Sequence, residues 1–539
     1  MTEPPGRTAA GPGSGSARPS LPAYRLVRPL LPPAETPPAL DDAQRCVVEH
    51  AGGPLLVLAG PGTGKTTTVV ESVVDRIERR GRDPDSILVL TFSRRAAGEL
   101  RSRITARLGR TVREPIARTF HSYAFGVLRM RAVAVGGPPP RLLAGPEQYV
   151  VIRELLEGDA LAGGAGWPAA LRPALRTRGF AAELRDLLMR AIERDVDADD
   201  LAAYGERFGR PEWGAAAGFL HQYREVGALA RANAYDPAEL IRAALDAFDD
   251  DPELLAAEQR RRRVVFVYEY QETDPAQEQL LRRLCAGADE LVVVGDPDQS
   301  IYAFRGADPT AIRRFPDVFA RAGRSPAPTV ARTTSNRAGT ALLLASRRID
   351  GRLGGPAAHR VLQPAAGRAP GRLDVAVLAT GSEEAAYIAN RLREAHLREH
   401  FAWGDMAVLV RSTVRTLPQL RRALASAGVP VQVAGDDLPL AAQPLVASFL
   451  LLLRCAGGGS VDPPDAIELL GSQFGRADAL AARRLRRELL RIDGEAGGRS
   501  RSDALLAQAL TDPGLLGQVR ERIARPATRV ARLLTAARE

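Results

Sequence analysis

The stretch Ala59-Gly60-Pro61-Gly62-Thr63-Gly64-Lys65-Thr66 gathers the residue types that grip a chain of phosphates. Its glycines let the backbone turn tightly and aim N–H groups inward. The helix expected to follow adds the partial positive charge of its N-terminus. Lys65 supplies a compact ammonium for the β- and γ-phosphates, and Thr66 a hydroxyl for Mg2+. Lys65 is also the only lysine in the chain, the other 73 of 74 basic residues being arginine. Arginine is a planar fork and lysine a point charge on a flexible stem; position 65 calls for the second. The bland alternative is a glycine-rich turn with a chance lysine. The buried-strand pattern before it, the helical pattern after it and the uniqueness of the lysine all oppose that. Nucleotide binding is therefore expected at Ala59, Gly60, Pro61, Gly62, Thr63, Gly64, Lys65, Thr66 and Thr67.

A second chemical cluster follows the apolar run Val264–Val267: Tyr268-Glu269-Tyr270-Gln271-Glu272-Thr273-Asp274. A phosphate loop that hydrolyses needs carboxylates opposite it. One stands in the Mg2+ shell and one acts on the attacking water. Glu269 suits the second task. The metal-holding position carries Tyr268, a phenol that normally titrates at about pH 10 and substitutes poorly for a carboxylate. The alternative is a strand end with surface acids.

These residues need a scaffold, and the rest of the sequence supplies one. Four apolar runs, Leu55–Leu58, Ile87–Leu90, Val264–Val267 and Leu291–Val294, end abruptly in polar residues or glycine. They read as fully buried parallel strands, each followed by a helical pattern. The fold class is α/β, a doubly wound parallel sheet that binds ligands at the carboxyl ends of its strands. Met130 to Arg231 is helical in pattern and reads as an insertion. A second α/β set runs from about Leu373 to Leu453, with strands expected at Asp374–Leu378, Met406–Val410 and Val429–Val433. The last 80 or so residues are Arg-rich and helical. Residues 1 to about 38, rich in Pro, Gly, Ala and Ser, read as a disordered tail.

Composition narrows the classes further. At 539 residues, 45% hydrophobic and 26% charged, the chain can bury several cores. Lys+Arg 74 less Asp+Glu 64 gives +10, which permits a polyanionic partner. Cys46, Cys285 and Cys455 are isolated, so neither a disulfide scaffold nor a zinc ribbon is expected. No run approaches the roughly 20 apolar residues that cross a bilayer, and no signal pattern opens the chain, so a cytoplasmic protein without a membrane partner is expected.

Ordered motifs over about residues 40–454 then resemble the UvrD/Rep-like superfamily 1 DNA helicases. Gln44 matches the adenine-reading glutamine upstream of the phosphate loop. Thr91-Phe92-Ser93-Arg94-Arg95-Ala96-Ala97 and Thr119-Phe120-His121-Ser122 resemble the motifs that contact single-stranded DNA. Gly295-Asp296-Pro297-Asp298-Gln299-Ser300-Ile301-Tyr302-Ala303-Phe304-Arg305-Gly306-Ala307 matches the motif coupling γ-phosphate to DNA. Ser335-Asn336-Arg337 falls where the family carries an arginine finger, and Arg411 also matches a family position. The resemblance implies a RecA-like phosphate-loop core, residues 39–129 and 231–330, with a helical insertion at 130–230. It also implies a partial second RecA-like domain at 331–454 and a helical segment at 455–539. The implied activity is an ATP-dependent, Mg2+-using DNA helicase moving 3′ to 5′ on single-stranded DNA or at duplex junctions, in repair or recombination. Tyr235-Asp236-Pro237-Ala238-Glu239-Leu240 and the high arginine content resemble helicase–nuclease subunits of AdnA type, which implies a second such subunit as partner.

The physical roles fit those motifs. Gln299, just past a strand end, can sense a γ-phosphate. Arg305 and Arg337 can stabilise charge on the transferred phosphoryl group. Phe92, Tyr302 and Phe304 either stack bases or fill the core. Arg94 and Arg95 either contact backbone phosphates or are solvated. Thr119 and His121 stand in a DNA-contact motif, where His121 either hydrogen-bonds DNA or nucleotide-linked water or caps a helix.

Departures from the family pattern set the alternative. Tyr268 and Glu272 replace aspartates. Thr67 and Asn336 replace an arginine and a tyrosine that stack on adenine. Two late motifs and any carboxylate-rich nuclease motif are absent after residue 454. The expectation is the N-terminal part of a longer ancestral design, ending inside a helical insertion. The competing reading is an ATP- and DNA-binding subunit that hydrolyses weakly.

Overall fold

The computed structural model describes residues 36–539 apart from 111, 144, 231–232, 321–324, 434–439, 441–442 and 459. Most of the N-terminal stretch expected to be a tail therefore lies outside the described residues. The chain divides into two compact units, with the boundary between Asp374 and Val375.

The first unit is organised by one sheet. Among the described residues the strands in chain order are β1 Gly53–Ala59, β2 Ile87–Thr91, β3 Ala117–Thr119, β4 Arg141–Leu142, β5 Ala234–Tyr235, β6 Val264–Tyr268, β7 Glu290–Gly295, β8 Thr329–Arg332, β9 Thr334–Ser335 and β10 Gln363–Pro364. Six of them form a sheet in the order β3-β2-β6-β7-β1-β8. All of its pairings are parallel. The four expected apolar runs are β1, β2, β6 and β7, its centre.

Alternation explains why those runs are continuously apolar. Leu56, Leu58, Leu88, Leu90, Val265, Val267, Leu291 and Val293 enter one core, beneath the helices Phe120–Ala134, Pro237–Asp250 and Pro275–Cys285. Leu55, Val57, Ile87, Val89, Val264, Phe266, Val292 and Val294 enter the other, beneath Lys65–Glu78 and Arg94–Leu108. A strand covered on both faces has no polar side to show. Buried charge is paired: Arg76, fully buried, donates to Glu290 at 2.8 and 3.0 Å, and Arg107 holds Glu71 through both carboxylate oxygens.

Between β4 and β5 the described residues are helical. Gly145–Leu161, Arg178–Glu193, Ala198–Arg207 and Pro211–Ala230 pack around their own core, which includes Ile152, Trp167, Leu188 and Leu220. The parallel pair β4–β5 lies where the chain leaves and re-enters the sheet domain.

The second unit corrects an expectation. Asp374–Leu378, Met406–Val410 and Val429–Val433 are not strands. The stretch at 406–410 keeps a strand's alternation, with Val408 and Val410 against the helices Gly381–Arg398 and Thr413–Ser426 while Leu409 is 95% exposed. Val375 and Val377 are exposed too. A strand pattern becomes a strand only with a ladder partner, and the described residues provide none here. Beyond, helices from Pro444–Gly457 to Glu521–Arg538 share a separate core of Leu, Ala, Val and Ile.

Candidate nucleotide site

The carboxyl ends of β1, β2, β6 and β7 open on one edge of the sheet, and the chemistry gathers there. β1 delivers Ala59 into the phosphate loop. Gly62 and Gly64 both take left-handed backbone, φ 76° and 81°, which a side chain would strain. A Cβ on Gly62 would also come within 2.6 Å of the Arg337 Cβ. Thr63 donates its hydroxyl to the Gly60 carbonyl at 2.8 Å, closing the turn. Lys65 is buried and donates to the Ala59 carbonyl at 3.2 Å. The helices starting after Asp41, Ser93 and Thr119 are each capped by that side chain; the helix starting at Lys65 has none. Its first N–H groups point into the loop, a fit for an anion.

Upstream of the loop, Gln44 is fixed by a capping box with Asp41 and donates to Thr68 at 3.3 Å. Arg332, 1% exposed at the end of β8, bonds both Thr68 and Asp41 at 2.6 Å. Thr67 accepts from Arg103 at 2.9 Å. Asn336 donates its backbone N–H to the Gly62 carbonyl at 2.8 Å, and Ser335 its hydroxyl to Pro61 at 3.2 Å. Asn336 and Arg337 are exposed at this rim.

The facing wall is β6 and its exit. Tyr268 places its hydroxyl 2.9 Å from the Thr66 hydroxyl. Burial, with the Glu269 charge, pushes the Tyr268 phenol up to about 12. Glu269 holds left-handed backbone, φ 60°, unusual for a residue with a side chain. Gln271 donates to it at 2.7 Å and accepts from the Asp296 backbone at 3.0 Å, tying the exits of β6 and β7 together. The donor set thus fits a triphosphate. It fits a tightly held Mg2+ less well, because the hydroxyl beside Thr66 is a phenol that keeps its proton where a carboxylate would serve.

After β7, Gln299 donates to Asp296 at 2.5 Å. Glu272 accepts from the backbone N–H groups of Ile301 and Tyr302 at 2.9 and 3.1 Å, which pins the aromatic loop. Burial raises the Glu272 carboxyl despite these bonds. The Phe92 and Tyr302 rings lie 4.8 Å apart and the Tyr302 and Phe304 rings 6.0 Å, a ladder rather than a buried cluster, with Phe304 69% exposed. Arg94 and Arg95 are exposed beside it. Thr119 caps the helix Phe120–Ala134 by accepting from Ser122. Burial and the Arg94 charge lower the His121 pKa. Only the backbone is described at Arg305; the role expected of its side chain lies outside the described residues. Gly306, φ 92°, lies against Arg190 and Glu193 of the insertion.

Sequence reasoning missed Arg332, Arg103, Gln271, His359 and Arg360. Gln271 meets Asp296 25 positions away, and Arg332 meets Thr68 and Asp41 264 and 291 positions away, and no local pattern announces them. The buried histidine between two aspartates carried no signal at all.

A parallel sheet whose first strand runs into this loop, facing an acidic strand end, defines a phosphate-loop nucleotide-binding protein. Residues 40–320 match the UvrD/REP helicase N-terminal domain. The chain is 30% identical over 417 residues to the ATP-dependent DNA helicase UvrD1 of Mycobacterium tuberculosis H37Rv, covering 74% of this chain and 50% of the relative. It is 28% identical over 277 residues to the ATP-dependent DNA helicase PcrA of Staphylococcus aureus Mu50, covering 51% and 36%. The chain spans half or less of the length of these relatives. It belongs to the UvrD/REP helicase family.

Proposed function

We propose that the chain is the nucleotide- and DNA-gripping part of an ATP-dependent DNA helicase that moves on single-stranded DNA. One observation supports this above others: the phosphate loop, Glu269, Gln299 and the Phe92–Tyr302–Phe304 ladder all leave the same edge of one sheet. A change in the Gln299 loop is passed along six residues to the ladder through Glu272, which holds Ile301 and Tyr302.

In this reading Lys65 and the uncapped helix N-terminus bind the triphosphate. Gln44 reads adenine. Glu269 orients and deprotonates the attacking water, Gln299 meets the γ-phosphate, and Arg305 and Arg337 offset the charge that develops on it. Phe92, Tyr302 and Phe304 stack successive bases without regard to sequence, and Arg94 and Arg95 meet the backbone. Thr119 and His121 border this path. Thr66 would offer a hydroxyl to a Mg2+ ion held mainly by the phosphates, and that ion would supply charge neutralisation there. Movement 3′ to 5′, a role in repair or recombination and a second helicase–nuclease subunit follow from the resemblance; a cytoplasmic site of action is part of the same proposal. No helix of the described residues is long and apolar enough to cross a membrane.

A second reading has its own observation, the 2.9 Å contact between Tyr268 and Thr66. A protonated phenol there leaves nucleotide binding intact and slows hydrolysis. ATP turnover with and without single-stranded DNA separates the two. DNA stimulation that disappears in Lys65→Ala supports the motor; DNA and nucleotide binding with turnover no faster than Lys65→Ala supports the slow subunit.

A further inference from the structure

We propose that His359 is a positioning residue for the γ-phosphate end of the site, holding Asp296 so that Asp296 in turn aims the Gln299 amide. The inference rests on the nucleotide reading above and adds a residue and a pH dependence to it. His359 is 1% exposed, in the short turn Ala358–Arg360 between the helix Thr340–Asp350 and β10. The turn roofs the phosphate loop: a Cβ added to Gly60 would lie 3.1 Å from the His359 carbonyl oxygen and 3.0 Å from Leu362.

The imidazole Nε2 lies 3.2 Å from Asp296 Oδ1 and 3.0 Å from Asp298 Oδ2. The other oxygen of Asp296 takes the Gln299 amide at 2.5 Å. One aspartate therefore connects the ring to the γ-phosphate sensor. Other charges face the group from each side. Arg360, on the same turn, holds both oxygens of Asp298 at 2.6 and 2.7 Å. Lys65 acts on Asp296 from the phosphate loop, and Asp350 acts on Arg360 from the preceding helix. Arg360 engages Asp298 alone and Lys65 acts on Asp296 only at a distance, so both carboxylates converge on one imidazole nitrogen and favour its charged form.

The ionisation agrees with this geometry. Burial lowers the His359 pKa, but Asp296 and Asp298 outweigh it and raise it above the ordinary 6.5. Burial raises the Asp296 carboxyl, but His359, Gln299 and Lys65 outweigh it and hold it below the usual carboxylate range. Asp296 thus stays ionised from pH 6 upward. The ring is charged below the ordinary imidazole pKa and loses that charge as pH rises through the raised one; Nε2 keeps a proton to donate, so the bridge then persists without its charge and holds Asp296 more weakly.

The readout is discrimination between a nucleotide with a γ-phosphate and one without, because Gln299 touches only the former. The dissociation constants of ATPγS and ADP are measured for the full chain from pH 6 to 8.5. The wild type should lose about 3- to 10-fold in the ratio as pH rises. His359→Gln should start near the wild type's high-pH ratio and change with pH only as the nucleotides themselves titrate, so the difference between the two profiles isolates the ring. Asp298→Asn, which leaves the ring in place, should move the midpoint down toward 6.5. Unfolding temperatures without nucleotide show whether each variant is folded. A flat wild-type ratio, a His359→Gln profile that follows the wild type, or an unmoved Asp298→Asn midpoint overturns the proposal. Wild type that binds neither nucleotide at any pH instead overturns the nucleotide reading on which it rests.

Discussion

The two walls of the nucleotide cleft are built by different means. The phosphate-loop wall is backbone: left-handed Gly62 and Gly64, a helix N-terminus without a side-chain cap, and one lysine retained among 73 arginines. The facing wall is side chains at the end of β6, and there the chemistry departs from what hydrolysis calls for. Tyr268 sits 2.9 Å from Thr66 with its phenol pushed up to about 12. On the proposed reading, binding a triphosphate and splitting it rest on different walls and are separable. The first depends on contiguous residues, the second on one strand end.

Three substitutions press on that separation. The largest effect belongs to Glu269→Gln. If Glu269 acts on water, ATP turnover falls by about 10²- to 10⁴-fold while ATPγS affinity stays within about threefold. A fall in affinity equal to the fall in turnover would join the two walls again. Tyr268→Asp comes next. Restoring a carboxylate beside Thr66 should raise turnover about tenfold and make it depend more steeply on Mg2+; unchanged turnover would clear Tyr268 of limiting the rate. Gln44→Ala is the smallest. It should cost about three- to tenfold in preference for ATP over GTP, read from competition binding, and leave phosphate affinity nearly unchanged.

The backbone wall was legible in the sequence because its determinants are consecutive. So was the sheet, since Leu55–Leu58, Ile87–Leu90, Val264–Val267 and Leu291–Val294 are apolar at every position, and only strands covered on both faces need that. Tyr268 also stood out, as one position in a short motif. What could not be read was anything set by approach across the fold. Arg332 reaches Asp41 and Thr68 only because β8 pairs with β1. His359 reaches Asp296 only because its turn folds over Gly60. The second unit shows the opposite error. The alternation at Met406–Val410 is real, with Val408 and Val410 inward and Leu409 outward, yet alternation states which face is apolar and not whether a ladder forms.

The central claim is that a nucleotide sits on the loop that ends in Lys65, and equilibrium titration of the full chain with ATPγS, with and without Mg2+, tests it most directly. One saturable site is expected in the wild type and in Tyr268→Asp, and Lys65→Ala should weaken it by about 100-fold or more, the loss of a charged contact to two phosphates. A wild type that binds no nucleotide under either condition, or a Lys65→Ala variant that binds as the wild type does, would contradict it.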